Sequence, residues 1–361
     1  MKRVLLTILV GVTLQVVAQD TLQTEQPEKK MSWLRRTIRG FSYIDENYVE
    51  PQHYNWSVMV LGRYTWDSYR LRTTGADRQS VSFSPHNVFK VGPYFGWRWV
   101  FLGYTVDLKN ISLNSSGWQG IDASIYSAQI GADVYYHHRR DDYMLREVNL
   151  GKGLNERLLE DVPFDGISVG ETGFSLYYIF NHQRFSYPAA FAQSTCQKIS
   201  CGSWMAGIGY MSNSLEFDHE AFQELVDERY GSQTVTLDSA LMFNKIQYYN
   251  LHASVGYAYN WVFARNCLFC ASGSLALAYK KSHGETENSD KGGFDMNNLN
   301  VDAIGRFGLV YNNTRWYAGA SAIVRTYNYR KDRFVANNVL GEVCLYIGYN
   351  FGLKSRYKKK E

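Results

Sequence analysis

The 361-residue sequence has only 6 prolines, 5 cysteines and no strong excess of charge. Lysine and arginine number 38 against 34 acidic residues, and no basic stretch is interleaved with stacking aromatics. We therefore do not expect nucleic acid as a partner. Beyond the N-terminus, no apolar run reaches the ~20 residues that a membrane-spanning helix needs. These absences exclude a helical membrane protein and a nucleic-acid-binding protein.

The N-terminus has the form of a secretory signal peptide. Lys2 and Arg3 precede the apolar run Val4–Val17, and small residues up to Ala18 suit a cleavage site. The predicted domains are a signal peptide at 1–18, a periplasmic leader at 19–52, a barrel at 53–353 and a basic tail at 354–361. Within the leader, Met31–Ile44 fits either a short amphipathic helix or a poorly ordered segment.

Aromatic residues are abundant, at 16% of the chain, and they fall in alternating stretches. In Tyr249–Phe263 every odd position is apolar or aromatic, and every even position is polar or small. A period of two indicates an extended strand with one apolar face. The stretch is longer than the ~5–6 residues of a typical soluble strand and long enough for the ~9–11 residues of a membrane-spanning one.

The pattern predicts an all-β fold, a transmembrane antiparallel up-and-down β-barrel of about 12 strands with a short N-terminal periplasmic helix. Connections such as Phe95–Trp97, Arg139–Asp141 and Asn312–Thr314 are tight, whereas Phe217–Phe243 is long and polar. Tight periplasmic turns and long outer loops are typical of outer-membrane barrels. We therefore expect the protein in the cell outer membrane. The predicted strands are 54–73, 78–95, 97–109, 118–138, 142–149, 164–181, 201–216, 244–263, 267–281, 299–311, 315–330 and 339–353.

The last predicted strand, Gly341–Gly352, also alternates and ends in aromatic residues. It resembles the signal that the bacterial barrel-assembly machinery reads, although the basic tail Lys354–Glu361 follows it. We expect that machinery, outer-membrane lipid and lipopolysaccharide as partners. The sequence predicts no cofactor and no metal site.

Five further groups of residues carry a family resemblance. They are Tyr43–Asp45 with Asn47–Val49, Gly92–Trp99, Phe101–Tyr104, Phe185–Ala190 and Gln197–Ser203. Together they resemble an uncharacterised family of outer-membrane proteins from Bacteroides-type bacteria, a domain of unknown function. The resemblance implies a barrel in the outer membrane and brings no activity with it.

The polar faces of the strands supply the candidate lumen residues. Charges of both signs occur there, and such groups must pair or be hydrated when they leave bulk water. Barrels of about eight strands are filled by side chains and those of about sixteen leave a channel, so about twelve strands allow a plugged lumen or a narrow pore. We favour the plugged form. The lumen-facing set is Arg63, Gln129, Asp133, His252, Asp302, Arg306 and Arg325.

The segment His182–Ser203 is the one long connection at the predicted periplasmic end. Its portion FSYPAAFAQ is too apolar for a solvated loop. We predict that it folds into the periplasmic mouth, where a Cys196–Cys201 bridge would pin it, and constricts the lumen as a plug. The alternative is that the adjoining strands extend below the membrane and pair there. The plug candidates are Phe185, Tyr187, Pro188 and Phe191, and Cys196 and Cys201 are spaced for a small disulfide loop.

These patterns favour a narrow or plugged channel, a small-molecule translocator or a structural envelope protein, and not an enzyme. Gly166–Gly170 matches G-x-S-x-G, but it leads into a predicted strand, whereas a hydrolase elbow leads into a helix. No Ser–His–acid set falls on neighbouring predicted strands. A barrel-embedded lipid-modifying hydrolase and a surface-binding protein that acts through its long outer loops are the alternatives.

Overall fold

A computed structural model describes residues 43–74, 78–85, 88–97, 100–103, 106–107, 118–140, 143–151, 154, 156–231, 235–239, 241–285, 294–331 and 334–358. The predicted signal peptide lies outside these ranges. So does the predicted helix Met31–Ile44, except for its last two residues, which are not helical. No helix in the described ranges has the length and apolarity needed to cross a membrane.

The described residues form eighteen strands and three short α-helices. The strands are β1 (Val49–Pro51), β2 (Tyr54–Thr73), β3 (Ser80–Pro85), β4 (Val88–Trp97), β5 (Val100–Gly103), β6 (Val106–Asp107), β7 (Trp118–Tyr126), β8 (Ile130–Arg140), β9 (Tyr143–Asn149), β10 (Val162–Phe164), β11 (Ile167–Ile179), β12 (Thr195–Gln197), β13 (Cys201–Phe217), β14 (Lys245–Ala264), β15 (Cys267–Glu285), β16 (Phe294–Asn312), β17 (Trp316–Lys331) and β18 (Phe334–Leu353). The helices are α1 (Tyr187–Phe191), α2 (His219–Tyr230) and α3 (Ser355–Lys358), with a 3-10 helix at Glu156–Leu159.

Antiparallel ladders join twelve of these strands in a continuous series. From β2 the pairings run through β18, β17, β16, β15, β14, β13, β11, β8, β7, β5 and β4. β4 pairs in turn with β2, from Trp56 opposite Trp97 to Thr65 opposite Val88, so the series returns to the strand where it began. The fold is an antiparallel β-barrel, as the alternation predicts.

The predicted number of strands is confirmed, but three of the predicted strands are wrong. The stretch 78–95 is two strands, β3 and β4, and only β4 belongs to the series of twelve. The other two errors compensate for each other. The stretch 118–138 is two strands, β7 and β8, because Ser127 forms a turn in which its Oγ accepts a hydrogen bond from the Ile130 backbone (2.8 Å). That turn contains neither glycine nor proline, so the sequence gives little sign of it. The stretch 142–149 is β9, which pairs with β3 and β10 and lies outside the series of twelve.

The extra turn also moves the predicted turn Arg139–Asp141 to the opposite end of the barrel. Arg140 at the end of β8 pairs with Ser168 at the start of β11, beside the long connections. We call this end the long-loop end. The other end, where 265–266 and 313–315 connect strands, is the tight-turn end.

The outward face of the barrel is apolar. On β14, Leu251 and Val255 are 60% and 56% exposed. Asn250 lies on the opposite face of the same strand and is 2% exposed. The same outward exposure occurs for Leu275 on β15 and Ile347 on β18. An apolar band of this kind is what a barrel presents to lipid.

An apolar cluster covers the long-loop end, and we call the elements that build it the outer cap. They are β3, β9, β10, the 3-10 helix, α2 and residues 235–239 and 241–243. Asp218 caps α2 by accepting a hydrogen bond from the Ala221 backbone (2.9 Å). Phe222 on α2 is fully buried and packs edge-on against Phe164 of β10 (5.8 Å between ring centres). The cap therefore has a core of its own.

Candidate functional site

The barrel encloses a cavity of about 190 Å³, which we call the lumen chamber. Phe191, Ala192 and Gln193 form its floor, on the side of the tight-turn end, and strands β2, β4, β8, β11, β16, β17 and β18 form its walls. At ~30 Å³ per molecule, the chamber has room for roughly six waters. Its arginine, carboxylate and histidine lining residues are Arg63, Arg306, Arg325, Asp133, Glu171, Glu342 and His137.

Two ion pairs line the chamber, one between the neighbouring strands β2 and β18 and one across the lumen between β16 and β8. Arg63 lies 3.5 Å from the Glu342 carboxylate and donates a hydrogen bond to the Tyr94 hydroxyl (2.8 Å). Arg306 lies 3.3 Å from the Asp133 carboxylate. Charges held away from bulk water need such partners, because desolvation of an isolated charge costs several kcal/mol.

A third ion pair lies outside the chamber, toward the long-loop end of β15 and β16. Lys280 and Asp302 are 2.8 Å apart, and both side chains are almost completely buried. Lys280 also donates to the Asn328 carbonyl (3.0 Å), and Asn250 donates to the second Asp302 oxygen (3.3 Å). This network fills the lumen there.

The structure brings four of the seven predicted lumen residues into one site. Arg63, Asp133, Arg306 and Arg325 line the chamber. The other three lie elsewhere, so the predicted set is not one cluster.

Gln129 is at the turn between β7 and β8, where it donates a hydrogen bond to the Tyr178 hydroxyl. His252 lines a separate cavity of about 50 Å³ that Arg306 also borders. Asp302 belongs to the buried pair with Lys280. Alternation along a strand identifies which residues face inward. It does not give their positions along the barrel axis, so residues of the predicted set lie at different heights in the lumen.

Sequence reasoning missed Glu171, His137 and Lys280 as interior charges. On β11, Phe174 and Leu176 are apolar and face outward. Because side chains alternate between the two faces of a strand, the odd-numbered Glu171 must face inward. His137 stands directly opposite Glu171 in the β8–β11 ladder. Glu342 follows from the alternation of the last strand in the same way.

The connection from β11 to β13 folds against the inner wall, and we call residues 181–200 the plug segment. Phe185 and Tyr187 are 0% and 2% exposed. Helix α1 begins after Ser186, whose hydroxyl accepts a hydrogen bond from the Ala189 backbone (3.3 Å). Ala189 and Ala190 pack against inward-facing side chains of β15 and β16. The four predicted plug candidates, Phe185, Tyr187, Pro188 and Phe191, all belong to this folded unit.

Buried amide side chains attach the plug segment to the barrel wall. Asn260 donates to the Ser186 carbonyl (2.8 Å), and Asn312 donates to the Gln193 carbonyl (3.1 Å). Gln193 in turn donates to the Tyr346 hydroxyl (2.8 Å). Each of these bonds joins the segment to a different strand, β14, β16 or β18.

Gln197 organises the segment internally. Its side-chain amide donates to the Arg184 carbonyl (2.6 Å) and to the Tyr48 carbonyl (3.2 Å), and its side-chain oxygen accepts from the Ser186 backbone (2.8 Å). It is buried, and β12 around it pairs with β1 in a small two-stranded sheet. The loss of this one side chain therefore removes several contacts at once.

Cys196 and Cys201 are not joined; the structure has all five cysteines as free thiols, which contradicts the predicted disulfide. The Cys196 thiol is directed to the Asn312 carbonyl (3.4 Å). The Cys201 sulfur instead accepts from the Asn181 amide (3.2 Å). Each sulfur thus has its own hydrogen-bond partner, and the plug segment is held by hydrogen bonds and packing.

Among the described residues, the structure has no cluster of three or more potential metal ligands. Ser168 lies near the start of β11 at the long-loop end, whereas His182 follows the other end of the same strand. At ~3.4 Å per residue, some 40 Å of strand separates them. The G-x-S-x-G motif is therefore part of a barrel strand.

A protein family described as Domain of unknown function (DUF4421) matches residues 43–351. No curated protein matches the sequence. The outer membrane protease OmpT from Escherichia coli is 8% identical, with 82% of this chain and 97% of that chain covered and a TM-score of 0.38. The P. putida toluene transporter TodX is 11% identical, with 83% and 91% covered and a TM-score of 0.30. The translocator domain of the autotransporter NalP from Neisseria meningitidis is 8% identical, with 88% and 94% covered and a TM-score of 0.31.

Proposed function

The chain belongs to this family of unknown function, and on that premise we propose that it is an outer-membrane barrel with a gated lumen for small polar solutes. The observation that carries the proposal is the charge-lined chamber floored by Phe191, Ala192 and Gln193 of the plug segment. A purely structural barrel needs only strand side chains to fill it. A folded segment that covers a polar chamber is better suited to a gate.

The proposed location rests on the apolar outer face and on the form of the N-terminus. The exposed side chains of β14, β15 and β18 supply the band that lipid requires. We propose that the tight-turn end faces the periplasm, with lipid, lipopolysaccharide and the barrel-assembly machinery as partners. The resemblance of stretches such as Gly92–Trp99 favours a Bacteroides-type bacterium as the source.

The attachment of the plug segment supports movement. Asn260, Asn312 and Gln193 make its polar contacts to the wall, and a hydrogen bond contributes only about 0.5–1.5 kcal/mol net. With no disulfide to hold it, the segment is retained only by noncovalent contacts, which are these hydrogen bonds and the packing of the buried Phe185, Tyr187 and Ala190. The outer cap is a second barrier in series with it.

Because two barriers lie in series, the test deletes part of each one alone and then both parts together. The outer cap loses α2 and the loop after it and keeps β3, β9 and β10. The first variant lacks Arg184–Gln193. The second replaces 219–243 with a short turn between β13 and β14, which remain paired as a hairpin. We expect each single deletion to leave single-channel conductance near the wild-type level and the double deletion to raise it in discrete steps. A folded double deletion that conducts no more than the wild type would contradict the gated-lumen proposal.

A milder variant guards against misfolding of the deletions. Gln197→Ala removes the internal hydrogen bonds of the plug segment, and Gln183→Ala changes the same residue type at an exposed position of that segment. The readout is the rate at which a small maleimide modifies Cys344, which lines the chamber. We expect at least a tenfold faster reaction in Gln197→Ala and no change in Gln183→Ala. Equal rates in both variants would mean that the segment does not control access.

A further inference from the structure

The charges that line the lumen chamber are balanced, but they are not all paired. Three arginines and three carboxylates line it. Arg63 with Glu342, and Arg306 with Asp133, form ion pairs. Within the described part of the chain, Arg325 and Glu171 have no side-chain hydrogen bond and no ion pair. One cation and one anion therefore remain available.

These two residues lie on facing walls. Arg325 is on β17 and Glu171 is on β11, five strands apart in the series of twelve. Both line the chamber, and both also line a smaller cavity of about 80 Å³ that extends toward the outer cap. Arg325 and Glu171 therefore border both cavities.

Without a bound solute, Arg325 and Glu171 depend on water for solvation, because neither side chain has a direct ion-pair or hydrogen-bond partner among the described residues. A guanidinium and a carboxylate removed from bulk water each lose several kcal/mol of solvation unless water or a partner replaces it. The other two arginines of the chamber form ion pairs with the other two carboxylates, so of the six groups that the structure describes here only Arg325 and Glu171 lack a direct partner. A solute with one group of each sign would satisfy both at the same time.

We infer that the lumen chamber binds a small zwitterion of the α-amino acid type, with its carboxylate on Arg325 and its ammonium on Glu171. Arginine binds carboxylates through two parallel hydrogen bonds, and a carboxylate accepts hydrogen bonds readily from an ammonium group. A chamber that holds roughly six waters suits a molecule with about as many heavy atoms, such as alanine. The inference names the solute class of the proposed gated lumen and rests on that proposal for the route of access.

The test uses three probes with the same number of heavy atoms, added at pH 7 to the purified protein in detergent. Alanine has both charges, lactate has only the carboxylate, and alaninamide has only the ammonium. Calorimetry is performed on the full chain and on the Gln197→Ala variant, which loosens the plug segment but keeps every lining residue of the chamber. We expect alanine to bind at least tenfold more tightly than either of the other two.

Two substitutions assign the groups. Arg325→Gln should reduce alanine binding to the level of alaninamide and abolish lactate binding. Glu171→Gln should reduce alanine binding to the level of lactate and abolish alaninamide binding. Arg315→Gln and Glu147→Gln are the controls, since they remove the same charges from exposed positions, and they should bind alanine as the parent does.

The outcomes separate this inference from the proposed function. Equal binding of the three probes, or no binding to either form of the protein, overturns the zwitterion site even if the double deletion conducts. Selective alanine binding without any conductance in the double deletion supports the site and overturns the translocation proposal. Loss of selectivity in both control variants would also contradict the assignment to Arg325 and Glu171.

Discussion

Single residues decide how the plug segment is held. The spacing of Cys196 and Cys201 fits a small disulfide loop, but each sulfur has its own hydrogen-bond partner in the structure. Burial raises the pKa of the Cys196 thiol to about 12, and the nearby Glu50 carboxylate adds to the shift. The charged thiolate, which is the reactive form, is therefore disfavoured at this position.

The first prediction concerns the thiols. With a pKa near 12, roughly one Cys196 side chain in 10,000 is a thiolate at pH 8, compared with about a quarter for an ordinary thiol. Iodoacetamide should therefore leave Cys196 unmodified in the native protein at pH 8. After unfolding without reductant, mass spectrometry should count five alkylated cysteines. A count of three, with Cys196 and Cys201 protected, would restore the disulfide.

The lumen residues illustrate what the sequence can tell at this scale. Alternation assigned Arg63, Asp133, Arg306 and Arg325 to the inward face, because an apolar neighbour marks the opposite face, and all four line the chamber. It could not tell which of them meet, since depth depends on the relative register of strands that are distant in sequence. Glu171 was missed because the glycines at 170 and 173 weaken the alternation around it.

At the scale of elements, β14 tests the membrane assignment. Val255 is near the middle of the strand and is exposed on the apolar face, and Gln247 has the same parity eight residues away. At ~3.4 Å per residue the two are about 27 Å apart along the strand, so Gln247 lies at or beyond the edge of an apolar band about 25 Å tall. The same face of β14 therefore offers a position at the middle of the lipid bilayer, Val255, and a control position near its edge, Gln247.

Val255→Arg should destabilise the barrel in phospholipid bilayers by about 2–4 kcal/mol, the cost of an arginine at the bilayer midplane. Gln247→Arg should change the free energy of unfolding by less than about 1 kcal/mol, as expected near the interface. Urea unfolding in bilayers, followed by tryptophan fluorescence, measures both. Equal effects of the two substitutions would mean that Val255 does not face lipid.

Long strands with strict alternation were predictable, and irregular ones were not. The sequence located β14 and β18 to within a few residues, because each presents a continuous lipid face. It merged β7 with β8, whose connecting turn is stabilised by the Ser127 side chain and carries no glycine or proline. It also assigned β9 to the barrel, because a strand of the outer cap has the same composition as a barrel strand.

At the scale of the whole molecule, the barrel depends on pairing between its first and last long strands. β2 pairs with β18 over almost their full lengths, from Tyr54 opposite Leu353 to Thr73 opposite Phe334. These strands are nearly 300 residues apart in sequence at one end of the ladder, so their register is a property of the complete fold. Val60 and Ile347 are direct partners in it, and both side chains are exposed on the outer face.

A cysteine pair at Val60 and Ile347 should therefore form a disulfide upon mild oxidation of the folded protein. Directly paired residues have Cβ atoms about 4.5–5.5 Å apart, close to disulfide geometry, whereas diagonal neighbours are about 7–8 Å apart. The pair Val60 and Leu345 keeps the same face but is displaced by two residues, so it should cross-link poorly. Peptide mapping distinguishes the new bond from any bond between native cysteines. Efficient cross-linking of the displaced pair, with none at 60 and 347, would mean that the first and last strands meet in a different register or do not close the barrel.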